Sequence, residues 1–159
     1  MKKLFLIPIL LFTLMLTPSL ALAQGMMGNW TSSPSSVVSD DHTAREEAVV
    51  ALEEETKKAS FKVLYIHDVT ATLKEKGFKI EPFKIIEICN AKSAYTVLKA
   101  DIKIGLCLPC KINVYQKEGQ TFISGMRPTV LPQFFPNANL GNLPTKLDKI
   151  IRGIINKSK

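Results

Sequence analysis

Leu106-Cys107-Leu108-Pro109-Cys110-Lys111-Ile112-Asn113-Val114-Tyr115 is the stretch on which the fold turns. Every second residue, from Leu106 through Leu108, Cys110, Ile112 and Val114, is apolar, the period-two pattern of a strand with one buried face. Glu118-Gly119 follows as a hairpin turn and sends the chain back as a partner strand over Thr121 to Met126.

Upstream, Phe83 to Cys89 reads as a further strand, rich in Ile, with Phe83, Ile85 and Cys89 sharing a face. It runs into Asn90, a good helix cap, and a helix whose Ala91, Ala94, Tyr95 and Leu98 fall at helical spacing. Phe61 to His67 is the remaining strand, with Phe61, Val63 and Tyr65 on one face and enough apolar residues on the other to suggest cover on both sides. Asp68 caps a short helix over Val69 to Lys76, and Gly77 suits its left-handed end. Thr43-Ala44-Arg45-Glu46 matches a capping box opening a helix to about Lys58, with Lys57 and Lys58 placed well for the macrodipole. At the other end, Leu147, Ile150, Ile151, Ile154 and Ile155 form a helical stripe opposed by Lys146, Lys149 and Arg152. Such a helix suits a membrane surface, but an antiparallel sheet needs helices over its apolar face, which is the role assigned here. The expected class is α+β: one antiparallel sheet of about four strands with helices packed on one face.

The chain opens with Lys2 and Lys3, an apolar run from Leu4 to Leu16 and Ala21-Leu22-Ala23, the order of a cleavable secretory signal. That run is shorter than the roughly 20 residues of a membrane span. The expected organisation is a signal peptide over 1–23, a Gly-, Ser- and Pro-rich tether over 24–42, and a single domain over 43–159. Export to the periplasm or beyond follows, with no membrane span after cleavage. The formal charge of +7 falls to +5 without Lys2 and Lys3, and the remaining basic residues are scattered. No aromatic-plus-basic stripe of a nucleic-acid binder is present.

Several motifs carry a resemblance. Gly77-Phe78, Ile86-Glu87-Ile88-Cys89-Asn90, and Ile104-Gly105-Leu106-Cys107-Leu108-Pro109-Cys110-Lys111-Ile112-Asn113-Val114-Tyr115 resemble the bacterial family called domain of unknown function 302. Phe61-Lys62-Val63-Leu64, Asp68-Val69, Thr72-Leu73-Lys74 and Met126-Arg127-Pro128 extend the similarity to everything from Thr43 onward. Two positions depart from the family pattern: Ala91 stands where Pro is usual and Cys107 where Leu is usual. The resemblance implies a domain of the TATA-binding-protein-like type, often paired as a homodimer, and implies no activity; the cofactor stays unknown.

Chemistry rests on three cysteines. Cys107-Leu-Pro-Cys110 has the redox spacing, but a redox pair wants its first Cys at a helix start, and an extended segment sends the two side chains to opposite faces. Cys89, just before a helix cap, is placed to titrate low. Two readings of Cys89 and Cys110 stay open. Either they are buried free thiols, as free Cys often is, or they face one core and bond, closing a loop of about 22 residues worth about 3 kcal/mol. Cys107 is expected to stay a free thiol on the other sheet face with Asn113 and Tyr115. A metal centre built from the thiols and His67 matches no finger spacing, so none is expected. Met26, Met27 and His42 are soft ligands only incidentally. No Gly-x-Ser-x-Gly elbow, His-Glu-x-x-His or phosphate-cradling loop occurs.

These observations favour a non-enzymatic module binding a small ligand or a partner. The alternative is a thiol-dependent redox protein using Cys89, Cys110 or Cys107. Leu131, Phe134 and Phe135, lacking an evident core slot, are candidates for a homodimer patch.

Overall fold

The computed structural model describes residues 42–159, with side chains from Arg45 onward. The expected signal peptide and nearly all of the expected tether lie outside the described residues. The elements are α1 (His42–Lys58), β1 (Lys62–Asp68), α2 (Val69–Lys74), β2 (Phe83–Cys89), α3 (Ala91–Ala100), a 3-10 turn (Ile102–Cys107), β3 (Cys110–Lys117), β4 (Gln120–Gly125), a second 3-10 turn (Pro128–Val130), α4 (Leu131–Phe134) and α5 (Leu143–Lys157). The strands form one antiparallel meander in the order β1-β2-β3-β4, so the fold is α+β with a four-stranded sheet. No helix among the described residues is long and apolar enough to cross a membrane.

Local chemistry accounts for most boundaries. Asp68 caps α2 by accepting from the Ala71 amide at 2.8 Å, and Asn90 caps α3 by accepting from the Ser93 amide at 2.9 Å. Gly77 ends the α2 region at φ +80°. Glu118 and Gly119 both take positive φ, as the tight hairpin between β3 and β4 requires. α1 begins at His42, one residue before the expected cap at Thr43. Glu46 turns its carboxylate to Lys84 Nζ, 2.7 Å from each oxygen, and that bond together with Arg45 holds its pKa below the usual carboxylate value.

Sheet parity departs from the expectation in two strands. Ile86 and Ile88 fill the core from β2, leaving Phe83, Ile85, Glu87 and Cys89 on the alternate pleat. Glu87 decides this: burying the other parity would carry its carboxylate into the core. In β1 a bulge at Leu64 breaks the alternation, so Val63 faces Ile88 and Ile66 faces Ile86, while Tyr65 pairs with Glu87 on the open face. Tyr65 and Leu64 are exposed, and β1 is an edge strand open on one side. The expected strand from Leu106 starts only at Cys110: Pro109 has no amide for the ladder, Leu106 is 86 % exposed, and Cys107 closes the 3-10 turn.

The main core joins Ala48, Val49 and Leu52 of α1, the sheet residues Ile86, Ile88, Ile112, Val114 and Ile123, and Leu147, Ile151, Ile154 and Ile155 of α5. A separate cluster of Val97, Ile104, Leu131 and Leu140 gathers the crossover and the segment after β4. Val97, rather than Tyr95, is the buried residue of α3, and Tyr95 is exposed. Leu131 and Phe135 pack into this second cluster, which leaves Phe134 alone exposed from the expected association patch.

Candidate functional site

Between the two clusters lies a cleft of about 40 Å³. Phe61 and Leu147 of the main core line it together with Val97, Ile104 and Leu131 of the second cluster. Each reaches the cleft for a sequence-local reason. Phe61 follows the turn after α1, where its amide donates to the Thr56 carbonyl at 3.0 Å. Ile104 sits in the 3-10 turn opened by Asp101, whose carboxylate accepts from the Lys103 amide at 2.9 Å.

All three cysteines line this cleft. Cys89 ends β2, Cys107 ends the 3-10 turn, and Cys110 starts β3 two residues after the cis Leu108–Pro109 bond begins. The register sets Cys110 opposite Ile88, so Cys89 takes the alternate pleat position and does not share a sheet face with Cys110. The expectation that both face one core from a common parity therefore does not hold, and they meet at the strand ends instead. Cys107 is not on a sheet face beside Asn113 and Tyr115; the 3-10 turn carries it into the cleft. All three are free thiols in this structure.

Burial sets their protonation. It pushes Cys110 up to about 11, helped by the neighbouring Cys89 and Cys107. Burial also raises Cys89 and, against the pull of the Lys111 ammonium, Cys107. The low thiol expected for Cys89 from the α3 cap is thus reversed, because desolvation outweighs the field of a short helix. All three are held protonated near neutral pH, the opposite of an activated redox centre.

Polar atoms are few. Asn90, Ser93 and Lys111 belong to the lining, and Met126 brings a thioether. Asn90 is already engaged, accepting from the Ser93 amide and donating from Nδ2 to the Ser60 carbonyl at 2.9 Å. Lys111 Nζ donates to the Pro109 carbonyl at 3.4 Å and lies 3.9 Å from Glu87. Sequence reasoning singled out the cysteines but not Lys111, Met126 or Ser93 as their neighbours. No linear spacing links Met126 to Cys110; only the β3–β4 pairing brings the two strand ends together.

His67 stays apart from the thiols. Its Nε2 is 3.5 Å from Glu87 Oε1 and its ring meets Tyr65 edge-on with centroids 4.3 Å apart. Among the described residues no group of three or more His, Cys, Asp or Glu is placed to hold a metal ion. A second cavity of about 210 Å³ is bounded by Arg45, Asp68, Thr70, Lys74 and Lys84. Three of its polar groups are engaged in structure: Lys84 with Glu46, Asp68 with the α2 cap, and the Thr70 hydroxyl accepting from the Phe83 amide at 2.7 Å. The open sheet face carries Phe83, Tyr115 and Phe122 in a stacked row, with centroids 5.7 and 5.5 Å apart.

The sequence profile of the family described as Domain of unknown function DUF302 matches residues 36–158. The chain belongs to the DUF302 family. A solved structure agrees with this: the crystal structure of uncharacterized conserved protein DUF302 from Bacillus stearothermophilus is 30 % identical in sequence, superposes with a TM-score of 0.72, and the match covers 82 % of this chain and 98 % of that one. No curated protein matches the chain. Within this DUF302 domain, the cleft holds both cysteines that carried the resemblance, Cys89 and Cys110, together with the departure Cys107.

Proposed function

We propose that this DUF302 domain is a non-enzymatic binding module that takes a small ligand into the thiol-lined cleft. The observation that carries the reading is the cleft itself, with apolar walls from two hydrophobic clusters and a few polar groups at Asn90, Ser93 and Lys111, the usual make-up of a ligand site. The protonated state of its thiols supports binding over the rival thiol-dependent redox role, since exchange needs a thiolate.

A thermal-shift screen of the mature chain against small apolar and sulfur-seeking compounds tests the reading. A ligand at a hundred times its Kd stabilises by about 2.7 kcal/mol. Ala94→Phe, which places a ring in the cleft lining, is expected to abolish that shift while remaining folded. Equal stabilisation of both proteins by every hit would exclude the cleft.

The reading takes the protein as exported, on the pattern of residues 1–23, and as a homodimer, for which exposed Phe134 and the open aromatic row are the supporting surfaces. Amino-terminal sequencing of the mature protein is expected to begin at Gln24. Sedimentation of the wild type and of Phe134→Ser is expected to show a dimer that Phe134→Ser weakens, and a wild-type monomer would remove the association.

A further inference from the structure

We infer that the cleft is a site for a soft monovalent cation, Cu(I), held by the sulfur of Cys110 together with that of Cys107 or Cys89; the inference rests on the cleft being the ligand site. The donor set selects the class. Cys89, Cys107 and Cys110 and the Met126 thioether line one cleft, and no carboxylate or imidazole does. Thiolates and thioethers favour Cu(I), whereas hard cations need oxygen donors. A tetrahedral zinc centre needs four ligands converging on one point, and no cluster of three or more His, Cys, Asp or Glu meets that need among the described residues. A closed-shell monovalent ion is content with two thiolates, which the cleft can provide. The apolar walls keep competing water from the ion.

Binding balances without a redox step. Each of two thiols releases its proton to solvent, each sulfur forms one bond to the ion, and copper remains Cu(I) throughout. Two thiolates and one monovalent cation leave the site with a single negative charge. Lys111 is in place to offset it: the ammonium belongs to the cleft lining and already pulls on both Cys107 and Cys110. Its weak contacts with the Pro109 carbonyl and Glu87, at 3.4 and 3.9 Å, leave it able to respond.

The test is an anaerobic titration of the full mature chain with Cu(I) buffered by bathocuproine disulfonate and kept reduced by ascorbate. The chain is expected to draw one equivalent from the chelator, with a copper X-ray absorption edge reporting sulfur ligands only. Cys110→Ser is expected to weaken binding by about 100-fold or more, since even loss of a contact supporting a ligand costs up to that much. Should Cys110→Ser fail to fold, the double variant Cys89→Ser/Cys107→Ser, altering two less buried thiols, is expected to give the same loss. Lys111→Gln is expected to weaken binding by about 10-fold, the scale of a supporting charge. Failure of the wild type to compete with the chelator, or competition that survives both thiol variants, would overturn the inference. In the first case, thermal-shift hits lost in Ala94→Phe would still uphold the cleft as a ligand site and remove only the ion.

Discussion

Cys110 shows how one residue couples stability to the site. Its folded-state pKa of about 11 lies above the ordinary thiol value of 9.0, because the thiolate loses water on burial. The neutral thiol therefore contributes stability that is fully present below pH 9 and is lost as pH climbs towards 11. The loss amounts to on the order of 3 kcal/mol by linkage. Urea denaturation of wild type and Cys110→Ser across pH 8 to 11 isolates it, since the lysines and tyrosines titrate in both. The wild type is expected to lose stability more steeply, and parallel curves would contradict the burial of this thiol. Ile112 illustrates the ordinary core residue. It is fully buried in β3, and Ile112→Ala is expected to cost about 2 to 5 kcal/mol in the same assay.

Elements depend on a few joints. The β3–β4 hairpin turns through Glu118 at φ +53° and Gly119 at φ +73°. Gly119→Ala is expected to cost about 1 kcal/mol, read from the denaturation midpoint, because a Cβ disfavours that region. A second joint ties α5 to the segment after β4: buried Asp148 accepts from Arg127 Nε at 3.2 Å, Arg127 Nη2 at 3.3 Å and the Thr129 hydroxyl at 3.3 Å. Asp148→Ala is expected to cost about 2 kcal/mol by calorimetry, below the value for a fully buried pair because Arg127 can regain water. Here the sequence was readable in part. Asp68, Asn90, Gly77 and Glu118-Gly119 announced their caps and turns, since each acts within a few residues. Glu87 also announced the parity of β2, a signal the run of Ile residues masked. The bulge at Leu64 had no local announcement, for it is defined by the register against Glu87 and Ile88 on another strand.

Across the whole molecule, the two hydrophobic clusters predict unequal stability. The main core spans the sheet, α1 and α5, whereas the second cluster holds α3 and the 3-10 turn with fewer buried residues. Amide hydrogen exchange is expected to be faster for Val97 and Ile104 than for Ile86 and Ile112, in keeping with sub-global opening. Ligand in the cleft, which touches both clusters, is expected to slow the first pair most; equal slowing would argue against a ligand seated between the clusters. The amino-acid sequence alone determined the α+β class, the order of the four strands and of the helices other than α4, and the family, because periodicity, caps and turn residues operate over short spans and the motifs are contiguous. It also marked the three cysteines as the chemistry worth weighing. Only the tertiary structure decided that they share one cleft with Met126 and Lys111, and that burial raises every one of the three thiols. Desolvation and proximity are properties of the packed chain: they depend on which surfaces the sheet and the crossover bring together, and no spacing along the sequence records that.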